Sequence, residues 1–219
     1  AMNALLPANV ARRYPNARIV AYSTGNVYPL SPVVQGGASE RQPVGPVGEY
    51  AITTLGRERV FQYFSRLNGT RLCIMRLNYA IDLRYGVLYD IGSRVAAGAP
   101  IDLTMGNANV IWQGDAVAHS LLALAVCDSP PRILNVTGPE IVSIRWAAHH
   151  FGTILGKEPV FVGEEGGTAL VSNAQDALNT FGYPRVPVQR MIEWTAHWIE
   201  IGGATLGKPT HFETSDGSY

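Results

Sequence analysis

The chain has 219 residues, 47% of them hydrophobic and 16% charged, which is enough to bury one large core. Lys+Arg and Asp+Glu both number 17, so nothing in the net charge points to nucleic acid or an anionic membrane as a partner. Cys73 and Cys127 each sit in an apolar run and read as two buried thiols. The five His are scattered, so no metal site is expected. No apolar run reaches the roughly 18 residues of a membrane span, and no signal segment opens the chain; a soluble, reducing, cytoplasmic setting follows as the expectation.

In chain order, Met2, Leu5, Leu6 and Val10 recur at helical spacing up to Pro15, and RIVAYS then reads as a buried parallel strand. Residues 24–48 hold five Gly and four Pro and read as a long loop of the kind that carries function. From Glu49 to Leu67 the pattern is helical, with Val60, Phe61, Phe64 and Leu67 on one side. RLCIMRL is the next strand, and Gly86 to Ala97 a helix. IDLTM and NVIWQ read as short strands, after which Asp115 is expected to cap the helix DAVAHSLLALAV.

RILNVTG is another strand. Ser143 opens a helix that Gly156 closes, KEPVFVG is a strand, SNAQDALNTFG a helix and VQRMIEWTAHWIEIGG a last long helix. The tail from Leu206 is polar and irregular, and could fold back over the domain as a clasp. Strands alternating with helices predict an α/β fold with a parallel sheet. The glycine clusters QGG, GEEGG and IGG do not follow a strand and open a helix, so none is a dinucleotide fingerprint.

Two places could carry chemistry. Ser23, Thr24 and Gly25 fall where the first strand runs out at its carboxyl edge, where a hydroxyl can bond a substrate oxygen; turn formation alone would also put Ser or Thr there. Tyr50 opens the following helix. A phenol there can exchange a proton with a substrate hydroxyl, or can simply pack the helix onto the sheet.

Together these segments resemble the extended short-chain dehydrogenase/reductase family, the NAD(P)-dependent sugar epimerases and dehydratases. RIVAYSTGNVYPL is similar to the family's strand ending in Ser/Thr before a Val-Tyr pair, and GEYAITTLGRE to its Tyr-x-x-x-Lys helix with a following glutamate. RLCIMRLNYAID, GAPIDLTMGNANVIWQGDAVAHSLLALA and RILNVTGPEIVSIRWAAHHFGTILG resemble later family segments in the same order. The resemblance implies a partial Rossmann-type doubly wound parallel sheet plus a smaller C-terminal α/β substrate-binding part. It assigns 1–82 to the C-terminal half of a Rossmann-type NAD(P)-binding domain, with 109–138 returning to it, and 83–219 mainly to the substrate-binding part and tail.

The implied cofactor is NAD or NADP and the implied partner a small-molecule substrate, with homodimer contacts through helices 2–14 and 49–67. Thr24 and Tyr50 match the catalytic pair. Tyr50, Thr54, Asn78 and Tyr79 fall where the cofactor is held, and Ser23, Thr24 and Gly25 where the substrate is. Glu58 matches a structural glutamate.

Four departures qualify these expectations. Thr54 replaces the lysine whose ammonium holds the nicotinamide ribose and favours the tyrosinate. Arg57 could swing back to supply the missing charge, although a solvated arginine is the plainer expectation. Asn78 stands one position early and Ile81-Asp82 replace a Gly-Pro, while GNANVIWQ lacks the arginine that grips a nucleotide-sugar diphosphate. The family's glycine-rich turn is expected to precede this sequence. A non-catalytic NAD(P)-binding or sensing module, and a scaffold binding no cofactor, stand as the alternatives to an enzyme.

Overall fold

The computed structural model describes residues 2–214. Helix α1 (Leu5–Arg13) leads into strand β1 (Arg18–Thr24), a single 3-10 turn (Gly25–Val27), the short β2 (Ser31–Pro32) and a second such turn (Val33–Gln35). The segment expected to be one long loop therefore carries pieces of regular structure. Helix α2 (Gly48–Asn68), β3 (Arg71–Leu77), β4 (Ala80–Ile81) and α3 (Val87–Ala97) follow. Next come β5 (Pro100–Asp102), β6 (Asn107–Ala108), β7 (Ile111–Trp112) and α4 (Gln113–Ala123). The chain continues through β8 (Arg132–Val136), β9 (Val142–Ser143), α5 (Ile144–Leu155), β10 (Val160–Val162), β11 (Thr168–Ala169), α6 (Gln175–Phe181) and α7 (Val188–Glu200).

The central sheet is parallel in the order β1-β3-β8, with Ser23 level with Arg76 and Thr24 with Leu77. Alternation along β3 explains why helices cover both faces. Leu72 packs with Ala11, Phe61 and Phe64 of α1 and α2, whereas Cys73 and Met75 pack with Ala116, Ala123 and Ala177 of α4 and α6. Both cysteines are buried and free. A separate core joins α3, α5 and α7 around Ile91, Phe151 and Ile192.

Helix ends follow their sequence signals in most places. The Ser143 hydroxyl accepts from Trp146 N–H at 3.2 Å, and Gly156 ends α5 in the left-handed conformation. Gly48, at φ +80°, turns the preceding loop into α2.

Several details differ from the sequence reading. Strand pairing breaks 101–113 into three short pieces, because Asn107–Ala108 pairs antiparallel with β9 while Ile111–Trp112 pairs parallel with β4. Helix α4 begins at Gln113, so Asp115 lies inside its first turn. Its carboxylate accepts from Val186 N–H at 3.0 Å, tying down the approach to α7 instead of capping α4. Leu67 is exposed where Phe61 and Phe64 are buried. The tail does fold back, with Phe212 entering the core of α3, α5 and α7; residues 215–219 of the expected tail lie outside the described residues. Among the described residues no helix is long and apolar enough to cross a membrane, and no His/Cys/Asp/Glu cluster is arranged for a metal.

Candidate functional site

The carboxyl ends of β1 and β3 and the first turn of α2 open onto one cavity of about 440 Å³. Ser23, Thr24 and Asn26 line it from β1 and its following turn, and Tyr50 from α2. Asn78 and Tyr79 follow β3, and Tyr85, Gly86 and Thr210 complete the lining. This is the edge where parallel α/β sheets present ligands.

The sequence-expected residues divide on this map. Ser23, Thr24, Tyr50, Asn78 and Tyr79 all reach the cavity. Tyr50 is half exposed there. Tyr79 has φ +29°, a strained setting for a non-glycine residue at the cavity wall. Gly25 stands behind Asn78: a Cβ added at Gly25 would lie 2.0 Å from Asn78 Oδ1. Asn78 is buried, its amide donating at 3.3 Å to the Leu170 carbonyl and the Ser172 hydroxyl. Thr54, four residues beyond Tyr50, is only 1% exposed, lies outside the cavity lining, and its hydroxyl has no hydrogen-bond partner.

Arg57 neither swings to Tyr50 nor extends into solvent. Its guanidinium donates to the Tyr22 carbonyl at 2.5 Å and to Asn3 Oδ1, fastening α2 to β1 and to the approach of α1.

A buried polar chain fixes the floor of the cavity. The Ser23 hydroxyl donates to Glu58 Oε1 at 2.5 Å, and Arg76 donates to both Glu58 oxygens through Nε (2.9 Å) and Nη2 (2.7 Å). Arg76 Nη1 donates to the Tyr28 hydroxyl at 2.7 Å, which in turn donates to Asn135 Oδ1 at 2.9 Å. Asn135 N–H then reaches Glu40 at 2.7 Å. Burial opposes the Arg76 charge, but the Glu58 carboxylate bonded to it more than offsets that and holds the guanidinium above its ordinary pKa. Burial pushes Tyr28 and Glu40 up as well. Glu58 is thus a structural anchor, and Ser23 shows the cavity its lone pairs.

Thr24 is likewise organised: its hydroxyl donates to Asn26 Oδ1 at 3.0 Å and accepts from Asn26 N–H at 3.2 Å. Tyr85 is raised by burial, by the Asp90 carboxylate and by the nearby Tyr50 phenol. Chemically, the arrangement offers a hydroxyl–amide pair and a phenol around a site where an alcohol oxygen can be held while it loses or gains a proton.

Asn26, Tyr85 and Thr210 escaped the sequence reading. Asn26 carried a signal, since a Thr followed two residues later by Asn is a turn-forming pair whose side chain and backbone bond each other. Thr210 carried none.

No family model matches the chain and no curated protein does. Solved structures do. UDP-glucuronic acid 4-epimerase from Bacillus cereus, in complex with UDP-glucuronic acid and NAD, is similar over 91% of this chain and 67% of its own, with a TM-score of 0.75 and 16% identity. UDP-glucose 4-epimerase from Thermotoga maritima with UDP-glucose covers 91% and 70%, at TM-score 0.74 and 18% identity. UDP-glucose 4-epimerase from Thermus thermophilus in complex with NAD covers 88% and 67%, at TM-score 0.71 and 21% identity. The likeness defines the fold: this chain has the Rossmann-type α/β fold of these NAD-complexed and sugar-nucleotide-complexed epimerases. That fold is the one the resemblance to extended short-chain dehydrogenases/reductases implied.

Proposed function

We propose that the protein is an NAD(P)-dependent oxidoreductase of epimerase/dehydratase type, acting on a carbinol or carbonyl carbon of a sugar. The observation that carries this reading is the convergence of Tyr50 with the Thr24–Asn26 pair on one cavity at the carboxyl edge of a parallel sheet. The cavity's chemistry fits the nicotinamide end of such a cofactor: hydroxyl and amide groups stand at the strand ends, and Tyr50 and Tyr79 are in the lining. Asn78, Tyr79 and Tyr50 would hold it. When bound, the cofactor supplies a hydride acceptor and donor.

The chain's own residues do the rest. Thr24 and Ser23 border the substrate oxygen, and the Thr24 hydroxyl holds it by turning its hydrogen there from Asn26 Oδ1. The Tyr50 oxygen takes the carbinol proton when it carries none of its own and, once protonated, returns it. Gly25 acts indirectly, by leaving room for Asn78. The domain division at residue 82, with 109–138 returning to the sheet, belongs to the same reading.

A homodimer through α1 and α2 accompanies it. Met2 just before α1, Leu5 and Leu6 on it, and Ile52, Tyr63 and Leu67 on α2 are exposed apolar residues that a second copy would bury. Free buried thiols suit a reducing, cytoplasmic setting.

One observation favours a second reading, a non-catalytic NAD(P)-binding or sensing module: Thr54 is buried and supplies no charge beside Tyr50. Turnover of UDP-galactose to UDP-glucose with NAD⁺ added separates the two. The enzyme reading expects Tyr50→Phe to slow turnover by about 10²–10⁴-fold. Cofactor binding without turnover in the unaltered chain would favour the sensor, and an unchanged rate in Tyr50→Phe would remove the tyrosine from the chemistry.

A further inference from the structure

The C-terminal tail reaches the cavity from a distant part of the chain and is fastened on both sides of its point of entry. Upstream, Leu206 N–H and the Thr205 hydroxyl donate to the Arg84 carbonyl at 3.1 and 3.3 Å. Downstream, Phe212 is buried in the core of α3, α5 and α7, and Glu213 pairs with Arg94 at 3.1 Å. His211 holds φ +51°, in the left-handed region that non-glycine residues adopt uncommonly.

Between these anchors Thr210 lines the same cavity as Tyr50 and Thr24. Its N–H donates to Asp90 Oδ2 at 2.8 Å, and its hydroxyl donates to the same oxygen. The hydroxyl hydrogen is thereby committed to Asp90. What Thr210 offers a ligand is an oxygen lone pair backed by a carboxylate, an acceptor and not a donor.

The rest of the lining points the same way. Among the described residues no Lys or Arg side chain lines the cavity, so a carboxylate brought inside would find no side-chain cation to pair with. The start of α3 at Gly86 does favour negative charge, but Asp90 already occupies that first turn. A neutral hydroxyl meets no such penalty and gains an acceptor.

We propose that Thr210, presented by the C-terminal strap and oriented by Asp90, is a specificity-determining residue that admits a neutral hydroxyl-bearing sugar and rejects its carboxylate counterpart. The proposal rests on the reading of this cavity as a sugar carbinol site.

UDP-glucose and UDP-glucuronic acid test it, since they differ only in a hydroxymethyl group against a carboxylate. Titration calorimetry of the full chain with NAD⁺ present should give tighter binding of UDP-glucose, by on the order of tenfold or more. Thr210→Val should weaken UDP-glucose several-fold and erase most of the preference, while Thr210→Ser should keep it. Asp90→Asn should narrow the gap from the other side by letting UDP-glucuronic acid in. Equal affinities in the unaltered chain, tighter UDP-glucuronic acid, or a preference that survives Thr210→Val would each overturn the assignment while leaving the carbinol site standing. Binding of neither sugar would sink both.

Discussion

Replacing Glu58 by Gln keeps the shape of the side chain and removes one charge from the centre of the buried polar chain. Arg76 and Glu58 are 5% and 1% exposed, so water cannot take over the role of the lost carboxylate. Glu58 accepts three hydrogen bonds, one from Ser23 and two from Arg76. A glutamine can accept on one atom, but its amide nitrogen would then face a guanidinium donor, and the Arg76 charge would be left buried and uncompensated. Breaking one partner of such a pair costs about 3–5 kcal/mol. For a chain of this size that corresponds to a melting temperature lower by roughly 6–20 °C.

Urea unfolding followed by Trp fluorescence reads the loss as a lower midpoint at unchanged slope. Adding Arg76→Met to Glu58→Gln removes the stranded charge and should restore a large part of the loss. A loss below about 1 kcal/mol in the single variant would show that Glu58 and Arg76 behave energetically as an exposed pair. Failure of the second substitution to recover anything would show that the loss does not come from a stranded Arg76 charge.

Three further outcomes are expected. Gly25→Ala drives a methyl group into Asn78 Oδ1, and the displaced side chain should cost about 1–3 kcal/mol by urea unfolding; a neutral result would mean Asn78 moves freely. Thr54→Val removes a buried hydroxyl that has no partner, so stability should hold or rise by up to about 1 kcal/mol, and a clear loss would reveal a partner. Burial lowers the pKa of His119 from 6.5, against a smaller opposing pull from Asp115, so the unfolded chain takes up this proton first as pH falls. Its contribution is therefore intact above about pH 6.5 and is lost as pH drops through the lower folded value. His119→Phe, which can keep the ring contact with Phe181, should shrink the difference in melting temperature between pH 7.5 and 5.5; an unchanged difference would assign that slope to other groups.

Local chemistry explains which parts of this architecture were legible in the sequence. Helix α5 was readable at both ends because Ser143 and Gly156 act within one turn of themselves. The strands β1 and β3 were readable because burial on both faces makes them continuous apolar runs. Thr24 and Tyr50 could be brought together because strand end and helix start are successive stations at one sheet edge.

What stayed hidden depends on partners far along the chain. Asp115 looked like a cap, yet its partner is Val186, 71 residues on. Arg57 looked like a surface charge until the Tyr22 carbonyl and Asn3 came within its reach. Leu67 has the same apolar character as Phe64, and only the direction in which α2 leaves the sheet makes one exposed and the other buried. Thr210 enters the cavity because Phe212 finds a place in a core assembled from three other helices, and no local pattern encodes that.

The proposed chemistry is hydride exchange with a sugar carbinol in the Tyr50–Thr24 cavity. The most direct test is a single-turnover absorbance measurement at the wavelength of reduced nicotinamide, after mixing the chain and NAD⁺ with UDP-glucose. A transient rise is expected in the unaltered protein, and its loss in Tyr50→Phe with cofactor binding retained. No rise in the unaltered protein, or an undiminished rise in Tyr50→Phe, would contradict that chemistry.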